Sequence, residues 1–228
     1  MILNIETSSA ICSVALCHGG EVCFHIESEP DMQHAACLAP YIERCMNHLT
    51  RREESLDAVA VSIGPGSYTG LRIGLSMAKG LCMSRNIPLI GIPTLEILAV
   101  KAMFNSFDRE GDELLVAMTD ARRMEVYTAV YDFALNPLMK PQPMILDKDS
   151  YSDFRKSEKK MIFVGDAVDK ARTVINFPTA EWIKASPLAI DMNAPSEKAF
   201  REGSFMDIAY ATPEYLKEYQ ATVSKPKF

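Results

Sequence analysis

The segment Ser62-Ile-Gly-Pro-Gly-Ser-Tyr-Thr-Gly-Leu-Arg-Ile-Gly74 constrains the fold more than any other part of the chain. A β-branched apolar run, Ala58 to Ile63, precedes it, and a helical pattern follows to about Ser84. It therefore reads as a strand, a glycine-rich turn and a helix N-terminus. Such a junction suits an anion, because free backbone N–H groups and the helix dipole both favour negative charge there. The phosphate templates do not fit, however. A P-loop needs Lys-Ser or Lys-Thr after its last glycine, and Gly70 is followed by Leu71 and Arg72. A dinucleotide fingerprint needs G-x-G-x-x-G, and after Gly64 and Gly66 the third position is Thr69. Its distal acidic residue is also missing, since residues 87–92 are wholly apolar. The spacing alone favours a tight turn with close helix–strand packing.

Before this segment, residues 2–28 read as three short strands, the last two joined by a hairpin at His18-Gly19-Gly20. Residues 31–49 read as a helix that Asp31 can cap and that Pro40 should kink or loosen by a turn. After it come a strand at 87–92 and a helix capped by Thr94 that runs to about Phe104. This order predicts an α/β layer with an antiparallel hairpin on one side. A polar break at 105–112 opens a second unit, so two units are expected, 1–106 and 107–228. In the second, Leu114 to Thr119 and Glu125 to Tyr131 read as paired strands around Asp120-Ala-Arg-Arg123. Residues 136–147, with Pro137, Pro141 and Pro143, read as irregular, and 150–160 as a surface helix. Met161 to Val164 reads as a strand, with a short helix after Gly165-Asp166-Ala167. Residues 187–200 read as irregular or helical, and 212–217 as a turn and apolar plug.

Hydrophobic residues make up 48% of the 228 positions, enough for a sizeable core, and the formal charge is −6. A free-standing nucleic-acid binder is normally basic, so any RNA contact should need a partner's positive surface. No apolar run reaches the roughly 18 residues of a membrane span. The N-terminus lacks a basic region and meets Glu6 at once, so a cytoplasmic protein without a signal peptide is expected. The cysteines, at 12, 17, 23, 37, 45 and 82, form no C-x-x-C pair and are expected to act as small free hydrophobes.

In order along the chain stand Asn4-Ile-Glu-Thr-Ser-Ser-Ala-Ile-Cys-Ser-Val-Ala-Leu16, Gln33-His34, the glycine segment 64–74, Asp120-Ala-Arg-Arg123 with Glu125-Val-Tyr127, and Pro213-Glu-Tyr-Leu216. Together they closely resemble the bacterial TsaB family, also called YeaZ. The resemblance spans nearly the whole chain. It implies an α/β fold of two RNase H-like lobes of the actin-like ATPase superfamily, each with a mixed sheet flanked by helices. It also implies a role in making threonylcarbamoyl-adenosine in tRNA. In that family the paralogue TsaD carries the metal and transfers the threonylcarbamoyl group. TsaB pairs with TsaD, the ATPase TsaE joins them, and the first two helices of each partner form a shared bundle. The resemblance therefore implies no catalytic group, metal or cofactor of this chain's own, with nucleotide at most at the joint with the partner. It implies tRNA contact only through the complex, and leaves room for a homodimer in isolation. Glu6 stands where the family generally has Asp, and Gly165-Asp166-Ala167 lacks the second glycine of the usual phosphate turn.

Rival readings rest on specific residues. A kinase or ATPase would use Thr7, Ser8 and Ser9 with Gly165–Ala167 on phosphates. A glycoprotease-like metallohydrolase would need H-x-x-x-H on the first helix, but His34 is followed four residues on by Leu38. A nuclease would need clustered carboxylates, and only Glu6 occupies the first-strand position. The second helix carries apolar residues nearly all round: Leu71, Leu75, Ala78 and Cys82 on one stripe, and Ile73, Met77, Gly80 and Leu81 on another. Burial on both sides is therefore expected. The expected partner surface joins Leu38, Ile42 and Cys45 to Leu71, Leu75, Ala78 and Cys82, with Arg72 as an interface ion pair. On that expectation, Leu75→Glu breaks pairing and spares the fold.

Overall fold

The computed structural model describes residues 1–30, 33–105 and 109–217. Among these residues ten strands form two five-stranded sheets. The first holds β1 (Ile2–Glu6), β2 (Ser13–His18), β3 (Glu21–Glu27), β4 (Ala58–Gly64) and β5 (Leu89–Pro93), in the order β3-β2-β1-β4-β5. The second holds β6 (Leu114–Asp120), β7 (Glu125–Tyr131), β8 (Pro137–Ile145), β9 (Met161–Gly165) and β10 (Glu181–Lys184), in the order β10-β9-β6-β7-β8. In each sheet three strands meander antiparallel and two more add in parallel. The same lobe is thus built twice, and it is the RNase H-like topology.

Alternation along the strands decides what covers each face. Leu3, Ile5, Val14, Leu16, Val59 and Val61 point to α1 (His34–Arg52) and α2 (Tyr68–Arg85), forming one core with their inner faces. Ile2, Ala58, Ala60, Ile90 and Ile92 point the other way, to Ile97 of α3 (Thr94–Phe104). The opposite side of α3, Leu95, Leu98, Ala99 and Ala102, packs on Leu115, Ala117, Ile162 and Val164 of the second sheet. A helix wedged between two sheets has little wet face, so α3 is mostly apolar, with Glu96 and Lys101 as its partly exposed charges.

Several local expectations change. Helix α1 continues past Pro40 to Arg52, and the expected Asp31 cap lies outside the described residues. Thr94 makes no capping bond; the cap residue of α3 is Pro93. Residues 137–145 form a strand despite three prolines, because β8 is an edge strand with register shifts against β7, where missing N–H groups are tolerated. The surface helix at 150–160 shrinks to one turn, α4 (Ser152–Arg155). After α5 (Val168–Arg172) comes β10, a strand not anticipated, whose Trp182 stacks on Phe163 at 4.2 Å. Beyond it the chain returns to the first lobe, where a 3-10 turn (Ala189–Met192) and α6 (Asn193–Glu202) cover β1, β2 and β5.

The glycine segment is a packing device. A Cβ on Gly66 would stand 2.4 Å from the Ser8 carbonyl oxygen, and one on Gly70 would stand 2.1 Å from that of Thr7. The turn after β1 therefore lies directly against the start of α2. Gly70→Ala should cost roughly 1–3 kcal/mol, because the obstacle is backbone and cannot rotate away. Urea denaturation reads this, and an unchanged midpoint would place the β1 turn elsewhere.

Candidate functional site

Two surfaces can carry function. The first is a cleft of about 530 Å³ between the lobes. Ser8, Ser9, His34 and Ser67 line it from one side, and Thr119, Asp120, Arg122 and Asp166 from the other. The structure thus brings together the two turns that a phosphate-binding reading would use. The neighbouring glycine segment uses two of its amides internally, whereas the Thr7 and Ser8 hydroxyls are buried with no protein partner. The Ser67 N–H donates to the Ser8 carbonyl at 2.7 Å, and the Gly70 N–H to Ser67 Oγ at 3.2 Å. The far wall is carboxylate-rich: Asp166 Oδ1 accepts the Asp120 N–H at 2.9 Å, and Asp120 pairs with Lys170. Arg122 and Arg123 both adopt positive φ, 70° and 49°, in the β6–β7 turn. His34 sits at the start of α1, and its Nε2 is buried with no protein partner. Among the described residues no three His, Cys, Asp or Glu converge as a metal site.

Glu6 does not line this cleft. It is fully buried; Oε1 accepts the Ser8 N–H, and Oε2 has no partner. Burial pushes its pKa up to about 7, against the lowering effect of the Ser8 bonds. The fold therefore binds this proton more tightly than the unfolded chain does. Stability from this group is full below about pH 4.5 and is lost as pH rises to about 7. Glu6→Gln keeps the acceptor for Ser8. It should be more stable than wild type by about 3 kcal/mol at pH 8 and no more stable at pH 4.5. A stability difference that does not vary with pH would refute the buried-acid assignment.

The second surface lies along α2. Seven of the eight expected partner-binding residues are not on it. Leu38, Ile42, Cys45, Leu71, Leu75, Ala78 and Cys82 are all buried, and all but Leu71 belong to the core under the first sheet. Only Arg72 is exposed. The stripe at i, i+4, i+7 and i+11 is the one that faces the chain's own strands. The other stripe opens outward as a shallow groove of about 680 Å³, lined by Tyr68, Thr69, Arg72, Ile73, Ser76, Met77, Gly80 and Leu81. Gly74 is closed off by Thr7, whose Oγ1 lies 2.2 Å from a would-be Cβ, whereas Gly80 has nothing within 4 Å. Beside α2, the outer face of α1 exposes Ala36, Ala39 and Glu43.

Comparison with known proteins gives this geometry a family. A model described as "TsaD: tRNA N6-adenosine threonylcarbamoyltransferase" matches residues 28–225. The TsaB protein of Bacillus subtilis (strain 168) is 28% identical over 225 residues, 96% of this chain and 95% of that one. TsaB of Buchnera aphidicola subsp. Schizaphis graminum is 32% identical over 176 residues, covering 75% of this chain and 81% of the relative. The chain belongs to the TsaB family. It is thus a protein of tRNA threonylcarbamoyladenosine biosynthesis. The solved structure of YeaZ from Pseudomonas aeruginosa superposes with a TM-score of 0.78 at 25% identity, over 94% of this chain and 99% of that one. No described helix in this TsaB-family chain is long and apolar enough to cross a membrane.

Proposed function

We propose that this TsaB-family chain is a non-catalytic subunit that docks on the TsaD transferase through the outer face of α2 and holds it in an active arrangement. The observation that carries the reading is Gly80. A glycine inside an exposed helix costs about 1 kcal/mol relative to alanine, and here it gains no contact in return. A neighbouring helix backbone approaching at that point would supply the return. Half-buried Ile73, Met77 and Leu81 flank it as apolar anchors. The match to the TsaD model supports pairing of like with like: two chains of similar build can set equivalent helices against each other about a pseudo-twofold axis. TsaE and tRNA then meet the assembled pair, and any nucleotide sits at the joint.

An ATPase acting alone is favoured only by the meeting of Ser8, Ser9 and Asp166 in the cleft. The two aspartates on its wall oppose a phosphate there. The test is co-expression with the TsaD-family protein of the same organism, followed by size-exclusion chromatography. One-to-one co-elution is expected. Separate elution, together with ATP turnover by the isolated chain, would favour the rival.

A further inference from the structure

Arg72 stands at the N-terminal end of the α2 groove, and it does not hang free there. Its guanidinium carbon lies 4.0 Å over the Tyr68 ring, and its Nε donates to Tyr215 Oη at 3.0 Å. The two rings lie 5.1 Å apart. Among the described residues no carboxylate pairs with it. Tyr215 comes from the far end of the chain, on a strap that the first lobe clamps at several points. Met206 N–H donates to the Leu89 carbonyl at 2.8 Å, Lys79 Nζ to the carbonyls of Ala209 and Ala211, both at 3.2 Å, and Glu214 N–H to the Ile63 carbonyl at 2.7 Å. One residue beyond Leu216, Lys217 pairs with Glu125 of the second lobe. The segment Pro213-Glu-Tyr-Leu216 is thus the means by which an exposed arginine is held still.

We infer that Arg72, positioned by Tyr68 and Tyr215, is a preformed recognition point for a carboxylate, and that the segment docking on α2 presents an Asp or Glu beside the apolar residues that cover Ile73, Met77 and Leu81. This rests on the docking reading above and specifies the partner's chemistry. In water the charge needs no partner. Once a protein segment covers the groove, the guanidinium loses its hydration, and an unpaired charge there would oppose binding. Stacking and the Tyr215 bond fix the planar fork, so little freedom is lost when a carboxylate arrives bidentately. A phosphate would suit the fork equally, but a nucleic-acid backbone would leave the apolar groove beside it uncovered.

The experiment is calorimetric titration of the chain with the TsaD-family protein at low and high salt, with circular dichroism as the fold control. Arg72→Ala should weaken binding about tenfold or more at low salt and flatten its salt dependence. Arg72→Lys should not restore it, because a point charge lacks the fork. Tyr215→Phe keeps the ring and loses the hydroxyl, and should fall between wild type and Arg72→Ala. Wild-type affinity in Arg72→Ala, with Gly80→Glu still blocking, would overturn the carboxylate point and leave the docking surface in place. Wild-type affinity in Gly80→Glu as well would overturn both. A loss of tRNA binding in Arg72→Ala without loss of partner binding would assign the fork to phosphate instead.

Discussion

Leu75→Glu should unfold the protein or lower its melting temperature by about 10–20 °C, a loss on the order of 5 kcal/mol. Leu75 is 4% exposed and shares a core with Leu3, Ile5, Val59 and Val61. A carboxylate placed there finds only hydrocarbon, and neither ionisation nor a neutral buried carboxyl is well served. Loss of partner binding in this variant would therefore report lost structure, not a lost contact. Thermal denaturation followed by circular dichroism decides the matter. A variant with wild-type melting would mean that this stripe of α2 faces outward after all.

Gly80→Glu should do the reverse. The position is exposed with open space around it, so the side chain enters freely, and the helix gains up to about 1 kcal/mol from losing its glycine. The free chain should melt at the wild-type temperature or slightly above. Affinity for the TsaD-family protein should drop by about a hundredfold or more, roughly 3 kcal/mol, because a charged side chain now occupies the closest approach. Stability and binding thus move in opposite directions, which general damage to the fold cannot mimic. Unchanged affinity would move the docking surface off α2.

The pair of variants also marks how far the sequence was legible. Strand alternation and helical spacing predict the element order of the first lobe, the hairpin at Gly19–Gly20 and a second unit after residue 112, because each follows from local periodicity; that the second unit repeats the first comes only from the family resemblance. The failures arise where periodicity is ambiguous. Helix α2 has two apolar stripes, and nothing local says which one its own sheet will take; the choice fell on the stripe containing Leu75, which lies against β1 and β4. The prolines of β8 suggest a break because they remove donors, yet an edge strand can spare them. Strand β10 is four residues long, and Glu181-Trp-Ile-Lys184 does not alternate polar with apolar, so no period marks it. The contact of Tyr215 with Arg72 spans 143 residues, and no local rule reaches that far. The bland reading of the glycine segment, a tight turn with close packing, is what Gly66 and Gly70 require by their distances to Thr7 and Ser8.

The most direct test of the docking claim is the rate of threonylcarbamoyl transfer to tRNA by the TsaD-family protein as this chain is titrated in. Wild-type chain should raise the rate to a plateau at one chain per transferase. Folded Gly80→Glu, at the same concentrations, should leave the rate where the transferase alone sets it. A Gly80→Glu chain that supports the wild-type rate at equal concentration would contradict the account.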